Sequence, residues 1–197
     1  MIEEEKRMTP SICAVIKVNM KHSCMRYVNI NDPNEVMYRF VLEHFYRNER
    51  VGSVESIDII SNPKLKAAFE KKQTEFERRT IPYLPTFVYH GTNVSSIDYI
   101  FESNFDITKS KRHDHGLGEY FQVYPAAALK DSNDQKTLIV CQILPGRKYI
   151  GPSTTWPEYD SKLVYVDEND FSQMVIIGDN EQILPCAVIH LVHSDER

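Results

Sequence analysis

Two segments of the chain carry residues with binding chemistry, one at the predicted end of a strand and one in a predicted turn. One closes an apolar run with a histidine and a glycine (Phe87-Val88-Tyr89-His90-Gly91-Thr92). A histidine there is held by the sheet and points into a loop-lined cleft, and the glycine lets a ligand approach the backbone. The other is a glycine-flanked turn that delivers a tyrosine (Gly116-Leu117-Gly118-Glu119-Tyr120-Phe121). Each segment alone also has an ordinary structural explanation, because junction histidines and hairpin glycines are common.

Further motifs accompany these two segments in a consistent order. They are Asn104-Phe105-Asp106, Val140-Cys141-Gln142-Ile143-Leu144, Tyr159-Asp160-Ser161 and Gln182-Ile183-Leu184-Pro185. In order and approximate spacing, the whole set resembles the catalytic domain of the poly(ADP-ribose) polymerase-like, diphtheria-toxin-type ADP-ribosyltransferases. The resemblance covers roughly residues 27–192, and its N-terminal part is similar to the helical entry of the family's small mono-ADP-ribosylating members.

The resemblance implies an α+β fold in which two facing, mostly antiparallel sheets enclose an NAD cleft beside N-terminal helices. His90 would then hydrogen-bond the adenine-side ribose, and the backbone of Gly91 would grip the nicotinamide carboxamide. Thr92 would lie beside the adenosine, and Tyr120 would stack on the nicotinamide ring. NAD would be the substrate, proteins would be the acceptors, and no metal is expected.

The chemistry of such a transfer agrees with these residue types. Nicotinamide leaves the ribose as a neutral amide, so the glycosidic bond breaks through an oxocarbenium-like state. The protein must hold the leaving ring by its amide and its aromatic face, and it must orient the ribose. The leaving group needs little acid–base help, whereas a hydroxyl or amine acceptor needs activation.

The third position of the family's fingerprint, often a glutamate, corresponds to Gln173. A glutamine amide oxygen can accept a hydrogen bond from a ribose hydroxyl, but the group cannot take a proton from an acceptor. This favours transfer of a single ADP-ribose, or weak activity, over chain elongation. The alternative is that Gln173 is only a polar residue at a strand edge.

Two other positions depart from the family pattern. Ala128 and Asp131 stand eight and eleven residues after Tyr120, where the family usually has a serine and a second tyrosine. Losing the hydroxyl and the second ring is expected to weaken NAD binding by about one to two orders of magnitude. Tyr124 is a candidate substitute ring, or a surface residue that starts a helix.

Cationic residues are concentrated in the loop that would lean over the cleft. Lys109, Lys111 and Arg112, with His113 and His115, could meet the pyrophosphate of NAD, or the loop could be merely solvated. His113-Asp114-His115 does not predict a metal site, since no further Cys/His pair stands nearby.

Three hypotheses follow. The leading one is a mono-ADP-ribosyltransferase with His90, Tyr120 and Gln173 as catalytic residues and with Gly91, Thr92 and Tyr124 completing the NAD site. The alternative is a binding or scaffold module of the same fold with an eroded site. A free NAD glycohydrolase would share the site.

Composition narrows the protein class. With 197 residues, the chain fits one domain, which we place at 27–197 after an N-terminal extension, 1–26, that holds one strand and extends a sheet or contacts a partner. With a net charge of -5, the chain does not have the excess of basic residues that is typical of proteins that bind duplex nucleic acid. The acidic N-terminus and the short apolar runs predict neither a secretory signal nor a membrane span. The four scattered cysteines predict a reducing compartment without structural disulfides. We expect a monomer located in the cytoplasm or nucleus.

The predicted elements run from helices to strands. A strand covers residues 11–20. One helix begins at Asp32-Pro33, with Val36, Phe40, Val41 and Phe45 as its buried stripe, and another begins at Asn62-Pro63. Short strands follow, with short helices over 95–101 and 125–129, and this order favours α+β with a largely antiparallel sheet.

Overall fold

A computed structural model describes residues 5–8, 14–19, 33–48, 52–109, 114–132, 136–165 and 173–192. These residues combine helices with one large, mostly antiparallel sheet, which confirms the predicted mixed α+β class. No helix within these ranges is long and apolar enough to cross a bilayer.

The sheet has ten strands. In chain order they are β1 Glu5–Met8, β2 Ala14–Asn19, β3 Val54–Ser61, β4 Thr86–Gly91, β5 Glu119–Gln122, β6 Thr137–Ile143, β7 Lys148–Tyr149, β8 Ser161–Tyr165, β9 Gln173–Ile177 and β10 Ile183–Leu191. Their order across the sheet is β1-β2-β3-β10-β6-β4-β5-β9-β8-β7. Neighbours are antiparallel except β7 and β8, which are parallel. The predicted strand over 11–20 corresponds to β2, and its pairing with β3 extends the sheet.

The sheet is continuous, whereas two facing sheets were expected. Its two halves, β1 to β4 with β6 and β10 on one side and β5 with β7 to β9 on the other, meet at β4 and β5. These two strands form a single residue pair, Tyr89 with Gln122. The two halves of the sheet therefore separate immediately beyond this residue pair, which is the connection that makes them one sheet.

Four helices complete the described fold: α1 Pro33–Asn48, α2 Pro63–Arg78, α3 Ile97–Ser103 and α4 Pro125–Asp131. The start of α2 follows from its sequence. The Asn62 side chain accepts hydrogen bonds from the backbone N–H groups of Lys64 and Leu65, and Pro63 occupies the first turn. Leu65, Phe69 and Phe76 are buried, as the 3.6-residue spacing predicts.

The buried stripe of α1 differs from the predicted one. Val41 and Phe45 are buried, but Val36 and Phe40 are 45% and 47% exposed. Leu42 is buried in their place. The helix thus faces the sheet through positions 41, 42 and 45, while the Phe40 ring lies against Phe87 at a centroid distance of 4.6 Å.

Apolar residues pack on both faces of the sheet. Successive residues of β6 alternate between two clusters, since strand side chains point to opposite faces. Ile139 and Cys141 belong to a cluster with Phe105 and Phe121, and Leu138 and Val140 belong to one with Phe45 and Tyr89. Both faces of the central strands are therefore covered, which holds the ends of β4 and β5 in place.

Candidate active site

A cleft of about 460 Å³ opens where β4 and β5 part. Its walls include His90, Gly91 and Thr92 from the end of β4, and Glu119, Tyr120 and Gln122 from β5. The two sequence segments that carry the predicted chemistry, thirty residues apart, thus meet at one cleft. The pairing of β4 with β5 brings the two segments together. Because the two strands share only one residue pair, a space remains between them.

His90 spans the gap between the strands. Its Nδ1 lies 3.1 Å from the backbone carbonyl oxygen of Tyr120, and because a carbonyl only accepts, Nδ1 carries the hydrogen. The ring packs edge-on against Phe105 with centroids 4.9 Å apart and is tilted against Phe121 at 5.8 Å. The hydrogen bond and the two rings fix the orientation of the imidazole, as a positioning role requires.

Glu119 is a site residue to which the sequence analysis assigned no role. Its Oε1 lies 3.4 Å from His90 Nδ1, and the residue is 9% exposed at the cleft wall. Burial raises the pKa of this carboxyl to about 7, against a smaller opposing effect of a hydrogen bond from the Tyr120 backbone. The signal in the sequence was an acidic residue placed between a glycine and an aromatic pair in a predicted turn.

Tyr120 is buried, and its hydroxyl is already engaged. The ring packs with Met174 and Ile176 in a small cluster. The hydroxyl donates to the carbonyl of Gly116 at 2.6 Å and accepts from the backbone N–H of His115 at 3.3 Å. Because the hydroxyl is held by the preceding loop, the ring and backbone of Tyr120 are the parts suited to contact a ligand.

Gly91 has a packing role that stands apart from ligand binding. A Cβ at this position would lie 2.0 Å from the carbonyl oxygen of Ala128 and 2.8 Å from the backbone nitrogen of Ser132. Only glycine therefore lets α4 approach β4 this closely. Ala128 is completely buried in the cluster that contains Tyr89, so its methyl group packs in the core and does not line the cleft.

Asp131 and Gln122 form a polar pair in the cleft wall. Gln122 Nε2 donates to Asp131 Oδ2 at 3.3 Å, which sets the orientation of the amide because a carboxylate only accepts. Gln122 Oε1 is buried and finds no hydrogen-bond partner within the described residues. A buried acceptor without a partner is costly, and a ligand that carries an N–H or O–H group would satisfy it.

Of the other predicted site residues, one lines the cleft and two do not. Thr92 lines the cleft, whereas neither Tyr124 nor Gln173 is among the described residues that line it. Tyr124 precedes α4. Met174 pairs with Gln122, so Gln173 lies one step past the end of β5, where its carbonyl accepts from the backbone of Val123. Gln173 is therefore adjacent to the residue that pairs with Gln122 of the cleft wall, although it is not itself among the lining residues.

The loop predicted to cover the cleft is described only in part. Lys111, Arg112 and His113 lie outside the described residues, as does the side chain of Lys109. The backbone carbonyl of His115 accepts a hydrogen bond from Nζ of Lys162 at 3.1 Å.

No protein-family model matches the chain, and no curated protein shows significant similarity to it.

Proposed function

We propose that the protein transfers a single ADP-ribose unit from NAD to a protein side chain and releases nicotinamide, within an ADP-ribosyltransferase-like domain. One observation carries the proposal. His90, Gly91 and Thr92 meet Tyr120 at one cleft, with His90 Nδ1 3.1 Å from the Tyr120 carbonyl oxygen. The proposal extends to NAD as substrate, to protein acceptors and to a location in the cytoplasm or nucleus.

The cleft offers the groups that this reaction needs. His90 is rigidly held and would orient the adenine-side ribose, and the backbone of Gly91 would bind the nicotinamide amide. Gln122 Oε1, a buried acceptor in the cleft wall, suits the N–H donors of that amide. Holding the ribose and the leaving ring in a reactive geometry accounts for much of the barrier lowering in such transfers. Gln173 is not among the residues that line the cleft, and its predicted role in positioning ribose and acceptor stays a prediction.

The test is transfer of label from NAD, labelled in its adenosine part, to proteins of a cell extract and to the protein itself. The wild-type chain should label an acceptor, and His90→Ala should reduce the initial rate about 100-fold, since it removes the residue that orients the ribose. His190→Ala is the matched control. His190 is a half-exposed histidine on β10 whose Nε2 lies 3.0 Å from Asp58, and it does not line the cleft.

Two outcomes would count against the proposal. The first is an absence of label with every acceptor tested. The second is labelling that His90→Ala and His190→Ala reduce equally, because both variants would then act through stability alone. Release of nicotinamide without labelled protein would identify an NAD glycohydrolase instead.

A second candidate is an NAD-binding or scaffold module without turnover. Two observations favour it: Ala128 presents no hydroxyl to the cleft, and Gln173 is not among its lining residues. Thermal unfolding with and without NAD separates the candidates, because a ligand that binds only the native state raises its stability. A clear rise in Tm without transfer would select the binding module, and an unchanged Tm would favour a scaffold.

A further inference from the structure

Glu119 is a buried carboxylate in the cleft wall, next to His90. It lines the cleft at the edge of β5, and its Oε1 lies 3.4 Å from Nδ1 of His90. Only 9% of its surface is exposed, and within the described part of the chain the ion-pair partner beside it is His90. Buried carboxylates ordinarily have a cationic partner or a metal.

The proposed transfer needs a group of this kind. An acceptor hydroxyl or amine must lose a proton as it bonds to the ribose, and a nearby carboxylate is a common receiver. Gln173 cannot serve, because an amide is not a base at neutral pH and this residue lies outside the cleft lining. Of the other carboxylates in the cleft wall, Asp131 accepts from Gln122, and Asp106 accepts two hydrogen bonds from Thr108.

We infer that Glu119 is the catalytic proton acceptor of the transfer, with His90 as its neighbour. The acceptor oxygen or nitrogen forms a bond to the anomeric carbon of the ribose, and its proton passes to the Glu119 carboxylate. The bond from that carbon to the nicotinamide nitrogen breaks, and the electron pair leaves with neutral nicotinamide. The proton then passes to water. This role rests on the proposed function.

The transfer rate should depend on pH, because only the ionised carboxylate of Glu119 can accept a proton. The raised pKa of Glu119, about 7, predicts a rate that increases with pH up to about 7 and then levels. The groups that share its surroundings are His90 on β4, Tyr99 on α3, Asp106 in the next loop, Tyr120 on β5, Asp131 on α4 and the buried thiol of Cys141 on β6. Burial raises the pKa of Cys141 well above its usual value, so that thiol stays neutral in this range.

The experiment compares wild type with Glu119→Gln, which keeps the size and polarity of the side chain but removes the base. We expect the transfer rate to fall about 100-fold or more and the rise of the rate with pH to disappear, while the Kd of NAD changes less than about threefold.

Sodium formate should restore part of the activity of Glu119→Ala. The double variant Glu119→Gln/Gln173→Glu should stay as slow as Glu119→Gln. Glu102→Gln, at an exposed glutamate of α3, is the matched control and should behave as wild type.

The outcomes are distinguishable. Wild-type transfer that Glu119→Gln leaves intact, or a slow Glu119→Gln variant with an unchanged pH profile and no rescue by formate, overturns the role of Glu119 alone. Restoration by Gln173→Glu assigns the base position to residue 173 and also overturns it. Absence of transfer in the wild type overturns the proposed function itself, and the role of Glu119 with it.

Discussion

His90 donates a hydrogen bond from Nδ1 to the carbonyl oxygen of Tyr120 across 3.1 Å, and this contact ties β4 to β5 beyond their single residue pair. A side-chain hydrogen bond thus joins the two strands at a position where they form no backbone residue pair. The sheet stays joined, and the space next to the bond remains open as the cleft. The same residue therefore supports the fold and faces the site.

The fit of α4 against β4 depends on the missing side chain of Gly91. In Gly91→Ala, the new methyl group would meet the Ala128 carbonyl oxygen at 2.0 Å, a backbone atom that can move only with its helix. We expect the free energy of unfolding to fall by about 1–3 kcal/mol, measured by urea denaturation. Gly178→Ala is the matched control, because no atom of the described residues, its chain neighbours aside, lies within 4 Å of a Cβ there. Equal stability of the two variants would show that α4 does not pack as described.

Glu119 should make folding stability depend on pH. The carboxyl has an ordinary pKa of 4.5 in the unfolded chain and about 7 in the folded one, so between these values only the folded state keeps the proton. Wild-type stability therefore falls as pH rises from about 4.5 to about 7, by up to about 3 kcal/mol.

Glu119→Gln removes this effect. Urea denaturation at several pH values should find the variant close to wild type near pH 4 and more stable above about pH 7. Glu102→Gln should follow wild type throughout. A Glu119→Gln variant that is less stable than wild type at high pH would mean that the carboxylate is favourably paired in the folded state.

Lys162 joins two loops beside Tyr120. It is almost completely buried, and its Nζ donates to the backbone carbonyls of His115 at 3.1 Å and Ser153 at 2.8 Å, with the Trp156 ring 5.6 Å away. Lys162→Met keeps the apolar stem but leaves both carbonyls without this donor, at a cost of about 2 kcal/mol.

Hydrogen exchange is the most specific readout of that change. Amide exchange over residues 114–118 and 151–156 should accelerate about tenfold or more in Lys162→Met, and exchange in β10 should follow only the global stability. Lys148→Met, at an exposed lysine, serves as the control. Unchanged exchange in both loops would contradict a joining role for Lys162.

Gln122→Met separates ligand binding from stability. The substitution removes a buried acceptor that lacks a partner in the described chain, so the free energy of unfolding should not fall by more than about 1 kcal/mol. If the same oxygen accepts from bound NAD, calorimetry should find binding about tenfold weaker. Binding as tight as that of wild type would place the ligand amide elsewhere.

Local signals explain what could be predicted from the sequence. Asn62 and Pro63 define the start of α2. The Asn62 side chain accepts hydrogen bonds from the first free backbone N–H groups of the helix, and Pro63 has no backbone N–H that would need a partner. Strands β3 and β5 were not predicted, because their burial does not alternate from residue to residue. In β5 all four residues are buried, and β3 was missed because buried residues appear on both of its faces.

Only those parts of the site that lie within a single sequence motif could be predicted. His90 and Tyr120 each follow from their own motif, but the role of Glu119 depends on a neighbour in another strand, and such contacts have no local signature. The position of Gln173 relative to the cleft likewise depends on the register of β9 on β5, with Met174 opposite Gln122. Sequence spacing does not determine that register.

The most direct test of the central claim is a titration of the isotope-labelled protein with NAD, followed by backbone-amide NMR spectra. NAD bound in the cleft should shift the resonances of Gly91, Thr92, Tyr120 and Gln122 most strongly, and His90→Ala should weaken these shifts at equal NAD concentration. Unchanged spectra at millimolar NAD, or shifts confined to the separate cleft beside Trp156 and Lys72, would contradict the claim that NAD binds between β4 and β5.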